Sequence, residues 1–224
     1  MKMLLTTIFL ATTFCACSSS DNNNKQSANK DYTLADSIHF DHAIVDDLRK
    51  ETDSSFTRMV AYVDDLGIDI EIDTLYPDGL LFNHDGQTSA ELVLRLKDSF
   101  RKRGYFIFRA EQHFGYQPDK IAVLKSGDQF DILKYRRTDG ANYSISNDSV
   151  INKLKEWNSR FPFEIIGADR DMVEAQFIRK PADMEAFAKE VYTFCPDIVD
   201  QGTETVERLA EEMKQSNVLY LWWD

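Results

Sequence analysis

Residues 163–178 read FEIIGADRDMVEAQFI. Two apolar-rich runs, Phe163–Ala168 and Met172–Ile178, flank the polar turn Asp169-Arg170-Asp171. Runs of this length around a short polar turn are typical of a β-hairpin. The sequence therefore predicts a pair of antiparallel strands here.

Further strands are predicted on both sides of this hairpin. Upstream, Ile121–Leu124 and Phe130–Tyr135 flank a polar loop of four residues, which predicts a second hairpin. Residues 68–73 alternate isoleucine with acid, as a strand with one buried face does, and Tyr105–Ala110 reads as extended. A last strand is predicted at Leu219–Trp223.

Helices are predicted between the strands, because apolar side chains recur there at spacings of three and four residues. The predicted helical segments are residues 44–63 (one broken helix or two, ending near Gly67), 88–103, 147–157, 181–195 and 206–213. Hairpins separated by helices favour an α+β fold, with a mostly antiparallel sheet and helices packed against it.

Composition and charge exclude several classes of protein. Of 224 residues, 43% are hydrophobic and only 9 are glycine, which excludes a disordered polymer or a collagen-like chain. The 38 acidic residues outnumber the 26 basic ones, for a formal charge of −12. Duplex binding depends on Lys and Arg displacing counterions, so no nucleic-acid partner is expected. A protein partner, if there is one, is expected to be basic.

The N-terminus has the layout of an export signal. Lys2 precedes an uncharged run, Leu4–Phe14, which is too short to span a bilayer. The following Ala16-Cys17 resembles the lipobox of bacterial lipoproteins, which implies a signal peptide at 1–16 and lipidation of Cys17. The alternative is an ordinary cleaved signal with an incidental cysteine.

The polar residues after the signal predict a flexible tether over 17–40, since almost no large apolar side chains are present before residue 37. Ser18 after the cysteine resembles lipoproteins of the Gram-negative outer membrane. The expected location is therefore the cell envelope, with the membrane contacted through the N-terminal lipid. Display on the periplasmic side or on the surface stays open.

Residues 120–224 resemble the bacterial family numbered 4253, a domain of unknown function. The resemblance rests on Cys195-Pro196-Asp197 and Trp222-Trp223-Asp224, together with Trp157, Ile165-Ile166-Gly167 and Pro181-Ala182-Asp183. It implies a compact α+β domain over 120–224 and no particular reaction. Residues 41–119 lie outside it and are predicted to form an N-terminal α+β part, with no clear linker between the two parts.

Two interpretations of the segment after Pro196 stay open. In the first, Asp197 and Gln201 hold a corner between two helices, because a proline ends the preceding helix and a carboxylate can accept backbone N–H groups. In the second, Asp197, Gln201 and Asp224 converge at a pocket with Trp222 or Trp223 as its wall.

Three more residues are candidates for binding a ligand or partner. Asn142 and Tyr143 follow the Asp139-Gly140 reversal, and Arg137 belongs to a basic pair that could receive an acidic group. No catalytic set, metal site or cofactor is predicted: Cys195 ends a helix, where a thiolate is disfavoured, and all four histidines precede residue 120.

These observations favour a non-enzymatic binding module on a lipid anchor, for example an immunity or accessory factor. One alternative is a hydrolase or transferase that uses Asp197 or Asp224 in a cleft. A second alternative is a structural lipoprotein of the envelope.

Overall fold

A computed structural model describes residues 30–61 and 76–224. In these residues seven strands form one sheet. The strands are β1 (Thr57–Arg58), β2 (Gly79–His84), β3 (Tyr105–Glu111), β4 (Asp119–Lys125), β5 (Phe163–Ala168), β6 (Met172–Phe177) and β7 (Val218–Trp222). Neighbouring strands follow the order β1-β2-β4-β3-β5-β6-β7, and all pairs are antiparallel except β3 with β5.

Helices follow or precede most strands. They are α1 (described over residues 30–37), α2 (His42–Arg49), α3 (Ser89–Arg101), α4 (Asp131–Arg136), α5 (Asn147–Arg160), α6 (Met184–Phe194) and α7 (Val206–Ser216). A short 3₁₀ helix covers Ala141–Tyr143 and a π-helical segment covers Ile198–Thr203. The predicted α+β class with a mostly antiparallel sheet is confirmed.

Helices cover both faces of the sheet. Along β4, Ile121 and Val123 pack with α1, α2 and α3, whereas Ala122 and Leu124 pack with the later helices. This alternation is the period of two expected of a strand. Because β4 is buried on both faces, its apolar residues run without interruption, as central strands do.

The predicted boundary at residues 119 and 120 does not divide the sheet. β4, which begins at Asp119, lies between β2 and β3, and both of these strands come from the preceding part of the chain. The two parts therefore share one sheet and both hydrophobic cores.

The predicted tether needs a correction at its C-terminal end. Residues 30–37 are helical, and Ala35, Ile38 and Phe40 are buried in the core that α2 and α3 cover. These three buried side chains pack the segment against the core. The polar composition of the residues before them did not indicate this contact. The signal peptide, Cys17 and residues 17–29 lie outside the described residues.

Two further predictions were wrong. Phe130–Tyr135 is not the second strand of a hairpin, since α4 begins at Asp131; the Asp128 carboxylate accepts the Phe130 N–H at 3.0 Å and starts the helical turn. The helical spacing around Phe56 also predicted the wrong element, because the next two residues form β1, which pairs with β2. The strand predicted at 68–73 lies outside the described residues.

Most other predicted elements are confirmed, with small shifts at their ends. α5 begins at the predicted Asn147, with Ser146 as its N-cap, and α6 begins at Met184 rather than at residue 181, with Asp183 as its N-cap. No helix in the described ranges is long and apolar enough to cross a membrane.

Candidate functional site

Asp197 lies at the centre of a hydrogen-bond network that joins three segments. Pro196 follows the end of α6, so the chain turns and directs this carboxylate inward, where the residue is only 3% exposed. Its Oδ1 accepts the Tyr143 hydroxyl at 2.5 Å and the Gln201 Nε2 at 3.0 Å. Its Oδ2 accepts the backbone N–H of Asp224 at 2.9 Å. We call this set the Asp197 network.

The network holds Asp197 in its ionised form. Burial by itself would raise the pKa of this carboxyl, but the three donated hydrogen bonds outweigh it and lower the pKa below its ordinary value. The same contact raises the pKa of Tyr143 to about 12, chiefly because its hydroxyl donates to Asp197. Neither group is therefore prepared to exchange a proton near neutral pH.

Asn142 extends the network to the last residue of the chain. Its Nδ2 donates to the main-chain oxygen of Asp224, on the residue whose N–H is bonded to Asp197. Five of the predicted residues thus come together: Asn142, Tyr143, Asp197, Gln201 and Asp224. They hold the chain beyond β7 against the 3₁₀ helix and the π-helical segment, as the corner interpretation expects. Asp197, Gln201 and Asp224 also converge, but none of the five residues lines the cavity beside Trp222.

The two adjacent tryptophans point to opposite faces, as their alternation in a strand requires. Trp223 is buried; its Nε1 donates to the Phe194 main-chain oxygen at 3.4 Å, and its ring packs edge-on against the Phe194 ring. Trp222 is partly exposed and lines a cavity on the other face. Only Trp222 is therefore available to a ligand or partner.

Cys195 has a structural position beside the edge of β7. Its Sγ donates to the main-chain oxygen of Trp222 at 3.0 Å and accepts the Trp222 N–H at 3.4 Å. Burial raises the pKa of this thiol to about 12, so it carries no thiolate near neutral pH. The thiol thus occupies backbone groups that an edge strand otherwise leaves unpaired.

Arg137 is not part of this arrangement. It ends α4 in a left-handed conformation, with φ of 53°, and its side chain is partly exposed outside both the network and the cavity. Its neighbour Arg136 is buried instead and donates to Asp169 at 2.5 Å and to the Ala110 main-chain oxygen at 2.9 Å.

The cavity beside Trp222 has a volume of about 460 Å³. Its walls combine aromatic, aliphatic and acidic side chains from β6, β7, the turn of the β5–β6 hairpin, the π-helical segment and the loop after β3. The lining residues are Gln112, Phe114, Asp169, Asp171, Met172, Ile198, Gly202, Tyr220 and Trp222. We call it the aromatic cavity.

Residues 120–224 match the family model described as Domain of unknown function (DUF4253). The resemblance predicted from the Cys-Pro-Asp and Trp-Trp-Asp stretches is confirmed over these residues. No curated protein and no solved structure matches the chain. The Asp197 network lies entirely within the DUF4253 part, whereas the aromatic cavity also takes Gln112 and Phe114 from the preceding part.

The sequence analysis identified only Trp222 among the residues that line the cavity. Tyr220 could have been added, because residues two apart in a strand share a face. Phe114 and the carboxylates of the β5–β6 turn could not, since a parallel contact between β3 and β5 brings their loops together. In the part of the chain that the structure describes, no group of three His, Cys, Asp or Glu side chains could hold a metal ion.

Proposed function

We propose that this chain is a non-enzymatic binding module, held to a Gram-negative outer membrane by a lipid on Cys17, and that its partner binds at the aromatic cavity. One observation carries the site: Phe114, Tyr220 and Trp222 surround an open cavity of about 460 Å³. Tyrosine and tryptophan are enriched among the anchor residues of protein interfaces, and cavities lined by aromatic side chains are typical of binding sites.

The anchor is supported by the sequence alone. Leu4–Phe14 followed by Ala16-Cys17 has the order of a lipoprotein signal, and the polar composition of the residues after Cys17 is typical of a tether. Mass spectrometry of the purified native protein tests this. We expect an N-terminal acylated Cys17, and an intact Met1 or an unmodified Cys17 would contradict the anchor.

A basic protein is the partner that the charge favours. The chain carries a formal charge of −12, so a basic partner would be attracted and oriented before contact, and its association would slow as salt rises. An immunity or accessory factor, whose task is to recognise another protein, fits such a surface.

The enzymatic alternative, with Asp197 or Asp224 as the acting carboxylate, has less support. A catalytic carboxylate needs access to substrate and a pKa suited to proton transfer. Asp197 is buried, ionised and bonded to three donors, and Asp224 contributes its backbone to the same contacts.

Capture from detergent-solubilised envelopes tests the proposal. We expect the immobilised chain to retain a partner saturably at micromolar concentration, and the variant Trp222→Ala to retain at least about tenfold less. Leu94→Ala is the matched control, because Leu94 is an exposed apolar residue on α3, away from the cavity.

Two results would contradict a binding role at this site. Equal capture by the native chain and Trp222→Ala would place the interface elsewhere. Absence of any saturable partner would favour the structural lipoprotein.

A further inference from the structure

We infer that the aromatic cavity receives the guanidinium group of an arginine side chain from the partner protein. The inference rests on the proposed function, and it adds to that function the chemistry of the group that enters the site.

The walls suit a flat cation. Phe114, Tyr220 and Trp222 offer three aromatic rings around one space, and Phe114 is 77% exposed at the opening. A guanidinium group is planar, stacks on aromatic faces and sheds water more readily than an ammonium group does. Lysine satisfies the charge but cannot stack in this way.

The charge at the cavity has the complementary sign. Asp169 and Asp171 line it, and the Asp224 carboxylate is close enough to contribute to the field at Asp171. Asp169 is engaged by Arg136 at 2.5 Å. The pKa of Asp171 is raised, first by burial and then by the Asp169 and Asp224 charges. Arg170 opposes this only weakly, so an incoming guanidinium would meet a predominantly negative field at this carboxylate.

Gln112, the other polar side chain of the cavity wall, leaves this role to Asp171 because it is already bonded to groups behind the wall. Gln112 Nε2 contacts Met172 Sδ at 3.8 Å and Glu174 Oε2 at 3.3 Å, and Arg109 also pairs with Glu174. The Glu174 charge beside Tyr220 is thus balanced internally. The volume of about 460 Å³ accommodates a long side chain, whereas a whole domain could only rest over the opening.

Three short peptides that differ in one side chain test the inference: acetyl-Gly-Arg-Gly-amide, its lysine analogue and its citrulline analogue. Citrulline has the shape of arginine without its charge. Binding is followed by NMR at the tryptophan indole N–H signals of the full chain. Trp157 and Trp223 are buried, so the Trp222 signal is the one expected to move.

We expect the arginine peptide to shift the Trp222 signal saturably and to bind about tenfold more tightly than the citrulline peptide, with lysine between them. Asp171→Asn should weaken arginine binding about fivefold, as read from the Trp222 signal. Trp222→Leu removes that signal, so its binding is measured by isothermal titration calorimetry beside the native chain, and we expect it to be about tenfold weaker. Asp148→Asn, an exposed acid on α5, is the control and should change nothing. The buried Trp157 signal reports that each variant is folded.

Equal affinity for the arginine and citrulline peptides would overturn the inference, as would undiminished arginine binding by Trp222→Leu. If the peptides fail in this way while envelope capture still depends on Trp222, the partner presents a different group and the proposed function stands. If capture is also independent of Trp222, both fail.

Discussion

Asp197 is a buried carboxylate whose hydrogen bonds stabilise the fold. Removing it from water costs free energy, and the three hydrogen bonds from Tyr143, Gln201 and the Asp224 backbone offset that cost. Hydrogen bonds to a charged acceptor are about twice as strong as neutral ones. The network therefore fixes the chain beyond β7 instead of leaving it to fray.

Replacing Asp197 by asparagine should lower the free energy of unfolding by about 2 kcal/mol at pH 7, because a charged acceptor is lost and one amide N–H faces another donor. Asp53→Asn, an exposed acid without a hydrogen bond in the described structure, is the control. Urea unfolding measures both. An unchanged free energy for Asp197→Asn would contradict the structural role.

The difference between the native chain and Asp197→Asn should depend on pH. The folded state lowers the pKa of Asp197, so its stabilisation is fully present above the ordinary aspartate value of about 3.9 and is lost as pH falls through the folded pKa. The free energies of unfolding of the native chain and of Asp197→Asn should therefore become equal in strong acid. A gap that stays constant from pH 7 to pH 2 would show that charge is not the cause.

Cys195 should be inert in the folded chain. Burial raises the pKa of its thiol to about 12, and alkylation requires the thiolate. Peptide mapping after iodoacetamide treatment at pH 8 should find Cys195 unmodified in the folded chain and modified in guanidinium chloride. Rapid modification of the folded chain would contradict its burial beside β7.

The loop after α4 packs closely against the side chain of Trp223, the residue that follows β7. A Cβ built on Gly140 would lie 2.9 Å from the Trp223 ring, so no side chain fits there. The glycine thus permits the 3₁₀ helix that carries Asn142 and Tyr143 to approach the last strand.

Gly140→Ala should therefore destabilise the fold by about 1–3 kcal/mol through overpacking. Gly127→Ala is the matched control, since nothing lies within 4 Å of its Cβ position and its φ is not positive; we expect it to be neutral or slightly stabilising. Thermal unfolding compares the two. Equal melting temperatures for the variants would contradict the close contact.

The sequence predicted elements well where one pattern dominated. The hairpin of β5 and β6 follows from two apolar runs around a polar turn, and α6 ends before Pro196 as its missing N–H requires. The α4 segment was misassigned because a short apolar run has no clear period, and Asp128 decided between helix and strand.

Only part of the Asp197 network was anticipated from the sequence. Asp197 and Gln201 are four residues apart, so their proximity could be anticipated from sequence. Asn142 and Tyr143 were identified only as available loop residues, and their contacts with Asp197 and Asp224 depend on tertiary packing. The aromatic cavity was missed because Gln112 and Phe114 come from the part outside the family resemblance.

β4 joins the two parts of the described structure into one sheet. This strand is the first of the DUF4253 part, yet its only sheet neighbours in the described structure are β2 and β3. Without the preceding residues β4 would lose both partners, and β5 would lose its parallel neighbour.

A fragment of residues 120–224 should therefore be much less stable than the full chain, with a lower urea midpoint and exposed apolar surface that binds a fluorescent dye. The full chain should unfold in one transition, with the same midpoint by tryptophan fluorescence and by circular dichroism. A chain of residues 30–224 is the control. A fragment as stable as that control would show that the DUF4253 part folds independently.

In-cell photo-crosslinking tests whether the proposed partner contacts the aromatic cavity. Benzoylphenylalanine is placed at Trp222, and at Ile178 as a control, since Ile178 is 64% exposed and does not line this cavity. We predict one discrete crosslinked species from position 222 and none from position 178. The same adducts from both positions, or none from position 222, would show that the partner does not bind at the aromatic cavity.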